Sequence, residues 1–309
     1  MKFPFRRSQP GYAPTTTAQQ RVDAAPEGLF EKCIACRELV YVKELERNWK
    51  VCPKCDYHNR MSSCERIALL LDEGTFVEMD AELRSVDFLG FRYVDKESKQ
   101  EIGYGQRLLA EQKRRGLPEG AVSGCGDIDG RRVALVVMDL SFLGASVGSV
   151  IGEKVTRAIE HATRDRLPLL IVSASGGMRM QEGLMALMQM ARTSAALTRL
   201  SRVGSPFISI MTDQTYGGVS ASWGALGDVI IAEPGTKIGF AGPRVIEQTI
   251  RQKLPSDAQT AVFQLNHGMI DMVVHRGQLR ETVVTVLGHL ASASYSGETA
   301  RVASTLVAH

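Results

Sequence analysis

The chain has 309 residues, of which 44% are hydrophobic and 23% are charged, and its formal net charge at pH 7 is +3. This composition is typical of a globular protein with a sizeable core, and the charge is too small to indicate a polyanionic partner. The sequence has no run of about 18 apolar residues to span a bilayer, and its basic N-terminus lacks the apolar segment of a signal peptide. We therefore predict a cytoplasmic protein without a membrane segment.

Residues 1–28 are rich in Pro, Thr, Gln and Ala, which predicts a disordered tail. Two CxxC pairs follow, Cys33 with Cys36 and Cys52 with Cys55, separated by fifteen residues. This spacing is typical of a zinc ribbon, in which each pair supplies two thiolates to one tetrahedral ion. Disulfides are the alternative, but nothing directs the chain to an oxidising compartment. We predict a ribbon over residues 29–61 with one structural Zn²⁺, because protein fills all four coordination positions.

Basic residues lie close in sequence to the four cysteines. Four thiolates around Zn²⁺ leave a formal charge of about −2, which these residues can offset. The same residues are also the type that forms a nucleic-acid-binding face, and both interpretations stay open. They are Lys32, Arg37, Lys50, Lys54 and Arg60.

Residues 62–292 alternate apolar strand-like runs with helical patterns, which predicts one α/β domain followed by a disordered tail at 293–309. Ser62 or Ser63 can cap a helix and Glu65 follows, as in a capping box, so a helix is expected to begin there. Strands are predicted over 133–141, 169–175 and 206–212. A helix is expected from about Met178, with an apolar stripe that predicts core packing. The stripe consists of Met180, Leu184, Leu187, Met188, Ala191 and Ala195.

Two pairs of adjacent glycines directly follow apolar strands and precede residues suited to starting a helix. They are Gly176 with Gly177 and Gly217 with Gly218. Glycine allows close approach of a ligand to the backbone, and the first N–H groups of a helix have no partner within it. Each turn is therefore a candidate oxyanion hole, with backbone donors directed at an oxygen that gains charge. The alternative is a tight turn that needs glycine only for packing.

Side chains suited to catalysis are scarce. The six histidines do not pair with second ligands at metal spacing, and no GxxxxGK[ST] phosphate loop occurs. Ser220 and Ser222 lie in a stretch close to the G-x-S-x-G nucleophile motif, but the final glycine is missing. A serine hydrolase is therefore a weaker alternative. The pattern favours chemistry in which the enzyme stabilises an enolate and the proton leaves to another molecule.

Several long motifs, in order, resemble the carboxyltransferase β-subunit family of acetyl-CoA carboxylase. They are CIAC…CPKC, DEGTFVE, SASGGMRMQEGLMALMQMARTSAAL, YGGVSAS, IAEP and IGFAGPRVIEQTIRQKLP. The resemblance extends from about residue 30 to residue 274. It implies a crotonase-type (ClpP/crotonase) superhelix of repeated β-β-α turns preceded by the ribbon.

The resemblance also implies a reaction. A carboxyl group would pass from carboxybiotin on the biotin carboxyl carrier protein to acetyl-CoA, giving malonyl-CoA for fatty acid biosynthesis within an ATP-dependent complex. The implied partners are an α subunit in an α2β2 assembly, the carrier protein and biotin carboxylase. By the same resemblance, Gly217 and Gly218 would hold the enolate oxygen. The matched motifs place further residues at the acyl-CoA cleft, namely Gly176, Gly177, Arg179 and Arg244.

Two stretches depart from the family pattern. Leu143-Gly144-Ala145 stands where the family usually has Met-Gly-Gly, and Gln214-Thr215-Tyr216 stands where it usually has Pro-Thr-Met. The donor glycines are retained, but the acyl-chain preference and the fit to the partner stay open. Carboxylation or decarboxylation of another acyl-CoA is therefore the alternative within the same fold.

Overall fold

The computed structural model describes residues 29–94, 99–255 and 257–290, with the side chains of residues 244 and 250 also outside the description. The tails predicted at 1–28 and 293–309 lie outside the described residues. The predicted domain boundaries therefore stay predictions.

The N-terminal unit is a small hairpin and helix around the cysteines. Strand β1 (Phe30–Lys32) pairs antiparallel with β2 (Leu39–Tyr41), and helix α1 (Val42–Arg47) follows. A single bridge between Val51 and His58 closes the turn that carries the second CxxC pair. The apolar side chains of this unit pack against the buried cysteines and not against the main sheet.

Helix α2 (Ser63–Leu70) begins at the predicted capping box. The Glu65 N–H donates to Ser62 Oγ at 3.3 Å, and the Ser62 N–H donates to Glu65 Oε2 at 2.7 Å. Strand β3 (Val77–Met79), the hairpin of β4 (Arg92–Val94) and β5 (Glu101–Gly103), and helix α3 (Tyr104–Arg115) lead to the central sheet. The capping-box prediction is thus confirmed.

The central sheet is parallel in its middle and antiparallel at one edge. Its order is β12-β10-β9-β8-β7-β6-β3, with β6 and β3 antiparallel to their neighbours and β11 paired with the end of β9. The elements in chain order are β6 (Ala121–Ile128), β7 (Arg131–Met138), α4 (Ser149–Asp165), β8 (Leu169–Ser175), α5 (Gly183–Arg202), β9 (Phe207–Tyr216), β10 (Val229–Ala232), β11 (Lys237–Gly239), α6 (Pro243–Ile250), α7 (Ala261–Asn266), β12 (Met272–Val273) and α8 (276–290).

Helices cover both faces of this sheet. Along β7, Ala134 and Val136 point to the cluster that includes α4 and α5, while Val133 and Leu135 point to the cluster that includes α2 and α8. Alternation of this kind, with apolar residues on both faces, is characteristic of a strand buried on both sides. In the described part of the chain, no helix is both long and apolar enough to cross a bilayer.

The two predicted helix starts after the glycine pairs are wrong in detail. After Gly177 the chain runs extended through Arg179 and a short 3₁₀ turn, and α5 begins only at Gly183. After Gly218 there is one hydrogen-bonded turn and then a 3₁₀ turn at Trp223–Ala225. The reason is local conformation, because Gly177 and Gly183 have positive φ and Ser222 has non-helical dihedrals.

The apolar stripe on α5 does not belong to the core, so that prediction is also wrong. Met180 is 82% exposed and Leu184 is 70% exposed, and the other four members of the stripe are exposed as well. The buried side of α5 is formed instead by smaller or polar residues, among them Ala186, Gln189 and Thr193. Gln189 packs against Gly152 of α4, where a Cβ would lie within 2.6 Å of the Gln189 Cβ.

A glycine-to-alanine change tests the antiparallel edge of the sheet. A Cβ on Gly124 would lie 2.3 Å from the Val77 carbonyl oxygen and 2.7 Å from the Phe76 ring. We expect Gly124→Ala to lower the free energy of unfolding by about 1–3 kcal/mol through overpacking, measured by thermal or denaturant unfolding. Gly288→Ala in α8, whose Cβ would meet its nearest neighbour at 4.0 Å, should not destabilise the chain. Equal stability of Gly124→Ala and the parent chain would contradict this packing.

Candidate active site and zinc centre

The two glycine turns lie side by side at one edge of the sheet. They follow β8 and β9, which are adjacent and parallel, so their carboxyl ends meet at the same edge. A Cβ on Gly217 would lie 3.0 Å from the Cα of Gly177, and a Cβ on Gly177 would lie 3.5 Å from the Cα of Gly217. Both glycines also have positive φ. The structure thus brings the two predicted turns together in direct backbone contact.

Neighbouring loops hold the first turn in place. The Gly176 N–H donates to the Gly144 carbonyl at 2.9 Å, and Val147 pairs with the backbone on both sides of Met178. Leu143, Gly144 and Ala145 all have positive φ, so the stretch that departs from the family pattern still adopts a left-handed turn. An alanine in this conformation is strained by about 1–2 kcal/mol, which the surrounding hydrogen bonds must offset.

The unpaired donors lie at Gly218 in the second turn and at Met178, directly after the first. The Gly217 N–H already donates to the Gly239 and Phe240 carbonyls, at 3.1 Å and 2.8 Å. The N–H groups of Gly218 and Met178 donate to no acceptor among the described residues. The role predicted for Gly217 as a donor therefore does not fit this conformation, whereas Gly218 and the neighbouring turn at Met178 present free N–H groups. This is the arrangement that an oxyanion hole requires.

The serine alternatives lose their support in the structure. Ser220 Oγ donates to the Gly217 and Gly239 carbonyls, at 2.9 Å and 2.8 Å. Ser222 Oγ donates to the Gly218 carbonyl at 2.5 Å. Neither hydroxyl contacts a histidine in the described part of the chain. Both serines thus stabilise the turn, and neither has the base that a nucleophile needs.

Arg179 lies behind the first turn, fully buried, and not in a substrate cleft. Its guanidinium forms a two-pronged ion pair with Glu119, at 2.6 and 2.8 Å, and also donates to Tyr104 at 3.2 Å. Burial alone would lower the pKa of Arg179, but Glu119 more than offsets this, so the pKa is raised and the charge is kept. The expected direct contact with substrate is therefore replaced by a positioning role.

Glu182 extends the same buried cluster to the start of α4. Its carboxylate accepts from Tyr104 Oη at 2.7 Å and from the Ser149 N–H at 2.6 Å. A carboxylate at a helix N-terminus compensates the unpaired N–H groups there. Gly148 leaves room for it, because a Cβ at that position would lie 2.4 Å from Glu182 Oε1. Sequence reasoning missed Tyr104, Glu119 and Glu182, since charges that meet in the interior carry no local pattern.

Arg244 is the second residue of α6, directly after the loop that follows β11. The side chain of Arg244 lies outside the described part of the structure. The carbonyl of Phe240, in the same loop, accepts the Gly217 N–H. Arg244 is therefore four residues from a backbone atom of the site, and its contact with acyl-CoA stays a prediction.

The four predicted zinc ligands converge. All four sulfurs lie within 4.8 Å of one another, with Cys33 Sγ 3.7 Å from Cys55 Sγ and Cys36 Sγ 3.9 Å from Cys52 Sγ. Thiolates at about 2.3 Å from Zn²⁺ in a tetrahedron lie about 3.8 Å apart, which agrees with these separations. No disulfide links them. The cluster therefore fits a closed, structural Zn²⁺ site with no open coordination position.

Two thiols of the cluster, Cys33 and Cys55, have pKa values shifted in opposite directions. Burial opposes ionisation of Cys33, but the N–H groups of Cys36 and Ala35 and the neighbouring thiols lower its pKa to about 7. For Cys55 the Tyr57 N–H favours the thiolate, yet lost solvation and the other sulfurs raise its pKa to about 12. A bound divalent cation requires thiolate ligands, so zinc binding at this cluster should release protons.

A second group of metal-ligand residues lies next to the ribbon, formed by Asp56, His58 and His275. His275 Nδ1 accepts the Gly277 N–H at 3.1 Å, so Nε2 carries the proton and donates to Asp56 at 3.1 Å. A metal-bound imidazole needs the opposite arrangement, with the second nitrogen donating. This group is therefore a hydrogen-bonded link and not a metal site.

A cavity of 650 Å³ lies far from the glycine turns, between α2, β3 and the end of α3. Its walls are mainly apolar, and they include Ile67, Leu71 and Phe76. Asp72, which also lines it, is already occupied by the N–H groups of Asp129 and Gly130 and by Arg280. We place the candidate active site at the glycine turns, because two N–H groups without an acceptor among the described residues lie in these adjacent turns.

Comparison with known proteins agrees with this arrangement. Residues 57–297 match the carboxyl transferase domain, and residues 30–55 match the acetyl-CoA carboxylase zinc finger domain. The chain belongs to the carboxyl transferase family. Within it, the relatives found are acetyl-CoA carboxylase carboxyl transferase beta subunits. One from Desulforudis audaxviator is 54% identical over 263 residues, which cover 85% of this chain and 92% of that protein. One from Citrifermentans bemidjiense is 50% identical over 283 residues, which cover 92% of this chain and 97% of that protein.

Two solved structures with the same fold are those of a transcarboxylase and a decarboxylase. A transcarboxylase 12S hexamer with methylmalonyl-CoA bound aligns at a TM-score of 0.62 and 26% identity over 80% of this chain. The aligned part spans 42% of that chain. A Pseudomonas malonate decarboxylase aligns at a TM-score of 0.58 and 24% identity. The alignment covers 75% of this chain and 82% of that chain, and it supports the fold alone. The predicted crotonase-type α/β fold with an N-terminal zinc ribbon is confirmed.

A cysteine-to-serine change tests the zinc centre. We expect Cys52→Ser to reduce bound zinc from about one ion per chain to a small fraction, because a serine hydroxyl does not replace a buried thiolate ligand. Metal content is measured by mass spectrometry on the purified chain, together with the melting temperature, which should fall.

Cys64→Ser is the matched control, since Cys64 is exposed and lies outside the cluster. It should retain one ion and the parental melting temperature. Full zinc content in Cys52→Ser would refute the assigned ligand set.

Proposed function

We propose that the chain is the β subunit of an acetyl-CoA carboxylase carboxyltransferase and helps transfer a carboxyl group from carboxybiotin to acetyl-CoA, giving malonyl-CoA for fatty acid synthesis. The observation that carries the proposal is the pair of backbone glycine turns in contact, with an N–H at Gly218 that has no acceptor among the described residues. The close relatives, at 50–54% identity over most of the chain, support the same reaction.

The chain's own contribution is electrostatic. The Gly218 N–H, with the Met178 N–H beside it, would donate to the thioester oxygen of acetyl-CoA as that oxygen gains negative charge in the enolate. Such donors are held in place before the reaction and therefore need no reorganisation during it. Biotin, when bound on its carrier protein, supplies the carboxyl group and accepts the methyl proton. A side-chain base is then not needed from this chain.

The exposed face of α5 is the surface that we assign to the α subunit. This face includes Leu184, Leu187 and Met188, each at least 52% exposed. Contiguous apolar surface of this kind marks an interaction site, and methionine adapts its shape to a partner. The buried side of the same helix reaches the site, because a Cβ on Gly218 would lie 2.8 Å from Met190 Sδ. A partner seated on α5 would thus border the donor turn, as a shared active site in an α2β2 assembly requires.

Two alternatives have less support. Carboxylation or decarboxylation of another acyl-CoA uses the same donors, but the ribbon and the close relatives favour acetyl-CoA. For nucleic-acid binding the ribbon lacks excess charge, since residues 29–61 contain seven basic and five acidic residues. That surplus only balances the zinc–thiolate charge of about −2. Contacts with the carrier protein and biotin carboxylase, and the cytoplasmic location, stay predictions.

The reverse reaction tests the function and the donor together. With purified α subunit, malonyl-CoA-dependent carboxylation of free biotin is expected, and the chain alone should be inactive. Gly218→Ala should lower kcat by about 10²–10³, the loss typical of one oxyanion donor, because its Cβ would meet Met178 Sδ at 2.3 Å and displace the turn.

Gly288→Ala is the control for this experiment, since it adds the same methyl group to a helix remote from the turns. Its turnover should match that of the parent chain. Gly218→Ala keeps its N–H, so a loss of turnover would report displacement of the turn, and parental turnover in the folded variant would contradict a donor geometry that depends on the close packing of Gly218 against Met178 and Met190. Inactivity of the parent chain with the α subunit present would reject acetyl-CoA as the acceptor.

A matched pair of leucines tests the partner surface. Leu184 in α5 is 70% exposed and Leu109 in α3 is 69% exposed. We expect Leu184→Glu to weaken association with the α subunit at least about tenfold, because a carboxylate would be buried in an apolar interface. Leu109→Glu should bind as the parent chain does. Association is measured by sedimentation or calorimetry, and equal affinities for the two variants would exclude α5 from the interface.

A further inference from the structure

A buried ionic cluster joins the zinc ribbon to the strand that leads to Gly218. Its centre is Glu233, which directly follows β10 and whose side chain is 1% exposed. Arg276 donates to both of its carboxylate oxygens, at 2.9 and 2.6 Å, and Arg66 of α2 donates to both from the other side. Both guanidinium groups are buried. Nothing in the proposed reaction uses these charges.

One end of the cluster holds the ribbon. Arg276 Nη1 donates to the Trp49 carbonyl at 2.9 Å and to the Asn59 carbonyl at 2.8 Å. These two carbonyls flank the turn that carries Cys52 and Cys55. The geometry of the zinc-bound turn therefore decides whether Arg276 finds both acceptors. A lysine has one nitrogen and no planar fork, so it cannot make these contacts and the bonds to Glu233 together.

The other end of the cluster reaches β9. Arg66 Nη2 lies 3.7 Å from Asp213 Oδ2, and Asp213 has a φ of 51°. Between Ser173 and Ser175 the pairing of β8 jumps from Met211 to Thr215, so Asp213 lies in a bulge of β9. Bulges of this kind redirect a strand and are frequent beside active sites. Beyond this one, β9 pairs with β11 and then enters the turn at Gly217 and Gly218.

Glu233, at the centre of the cluster, stays ionised, whereas burial raises the pKa of Asp213 at its far end. Burial by itself would raise the pKa of Glu233, but the two guanidinium groups hold it well below its usual value. A buried carboxylate paired in this way fixes the position of its partners, because removing one of them leaves an uncompensated charge. The ribbon, α2 and β9 are therefore all connected through the cluster around Glu233.

We infer that the zinc ribbon positions the donor turn, through Arg276, Glu233 and Arg66 acting on the bulge at Asp213. Arg276 and Glu233 are thus positioning residues, and the ribbon is a structural part of the active site although it lies outside it. This inference rests on the proposed function for its kinetic effect. Its structural effect is that the ribbon keeps residues 214–222 well ordered, and this effect does not depend on which reaction occurs.

The test combines kinetics with hydrogen exchange in the assembled α and β subunits. Arg276→Lys alters the ribbon end of the cluster, and Asp213→Asn alters the bulge end while keeping the side-chain shape and the tolerance for positive φ. For each variant we expect about tenfold lower kcat, a KM for acetyl-CoA within about twofold, retained zinc, and faster amide exchange over residues 214–222. Because both variants break one chain of contacts, the double variant should lose little more than the worse single variant.

The exposed pair of Arg132 and Asp127 provides matched controls, since its atoms lie 3.2 Å apart on the β6–β7 hairpin. Arg132→Lys and Asp127→Asn should leave both readouts unchanged. Parental exchange over 214–222 in zinc-loaded Arg276→Lys, or effects of the two changes that simply add, would overturn the inference. If Arg276→Lys does not fold, Asp213→Asn decides alone, because the ion pair of Asp213 is with Arg66 of α2 and not with a ribbon residue.

Zinc removal separates this inference from the proposed function. A chelator should accelerate exchange over 214–222 in the parent chain, and should have less effect in Arg276→Lys, where the connection is already broken. A parent complex that lacks carboxyltransferase activity but shows this exchange pattern would reject the proposed reaction and support the positioning role. A parent complex that is fully active, but whose amide exchange does not change when zinc is removed, would support the proposed reaction and reject the positioning role.

Discussion

The contact between two glycine turns at the ends of β8 and β9 is the constraint on which the site depends. Adjacent parallel strands end at the same edge, and here the turns approach until a Cβ on Gly217 would come within 3.0 Å of the Gly177 backbone. Side chains are therefore excluded from the centre of the site. What remains are N–H groups, and because the Gly217 N–H is already bonded, the free donors are those of Gly218 and Met178. Chemistry that needs electrostatic stabilisation of an oxyanion, with the proton leaving to another molecule, suits such a surface.

Two buried ionic clusters lie next to the segments that carry these turns. Arg179 and Glu119 lie behind the first turn, and Glu233 with its two arginines lies behind the strand that leads to the second. Burying charge is costly unless each group is fully paired, so such clusters add less to stability than to the definition of one geometry. In this chain the groups that they fix are the backbone segments whose N–H direction matters. The zinc ribbon is joined to one of these clusters through Arg276.

The outer face of α5 supports the partner surface proposed for this chain. Its apolar residues are exposed, while the helix itself packs beside the donor turn through Met190. A surface of this type stays in water only until a partner covers it. In the proposed function, the α5 stripe would lie at the interface with the α subunit, which would complete the site.

The sequence by itself determined the zinc ligands, the capped start of α2, the buried strands and the two glycine turns, because each depends on spacing within a few residues. Tertiary structure alone decided which glycine N–H is free, since the carbonyls that accept the Gly217 N–H belong to residues 239 and 240. It also decided that Arg179 is buried, and that Arg66, Glu233 and Arg276 meet across separations of 167 and 43 positions. The error at α5 has the same cause. Helical periodicity reveals that one face is apolar, but whether that face meets the chain's own core or another protein depends on what packs against it.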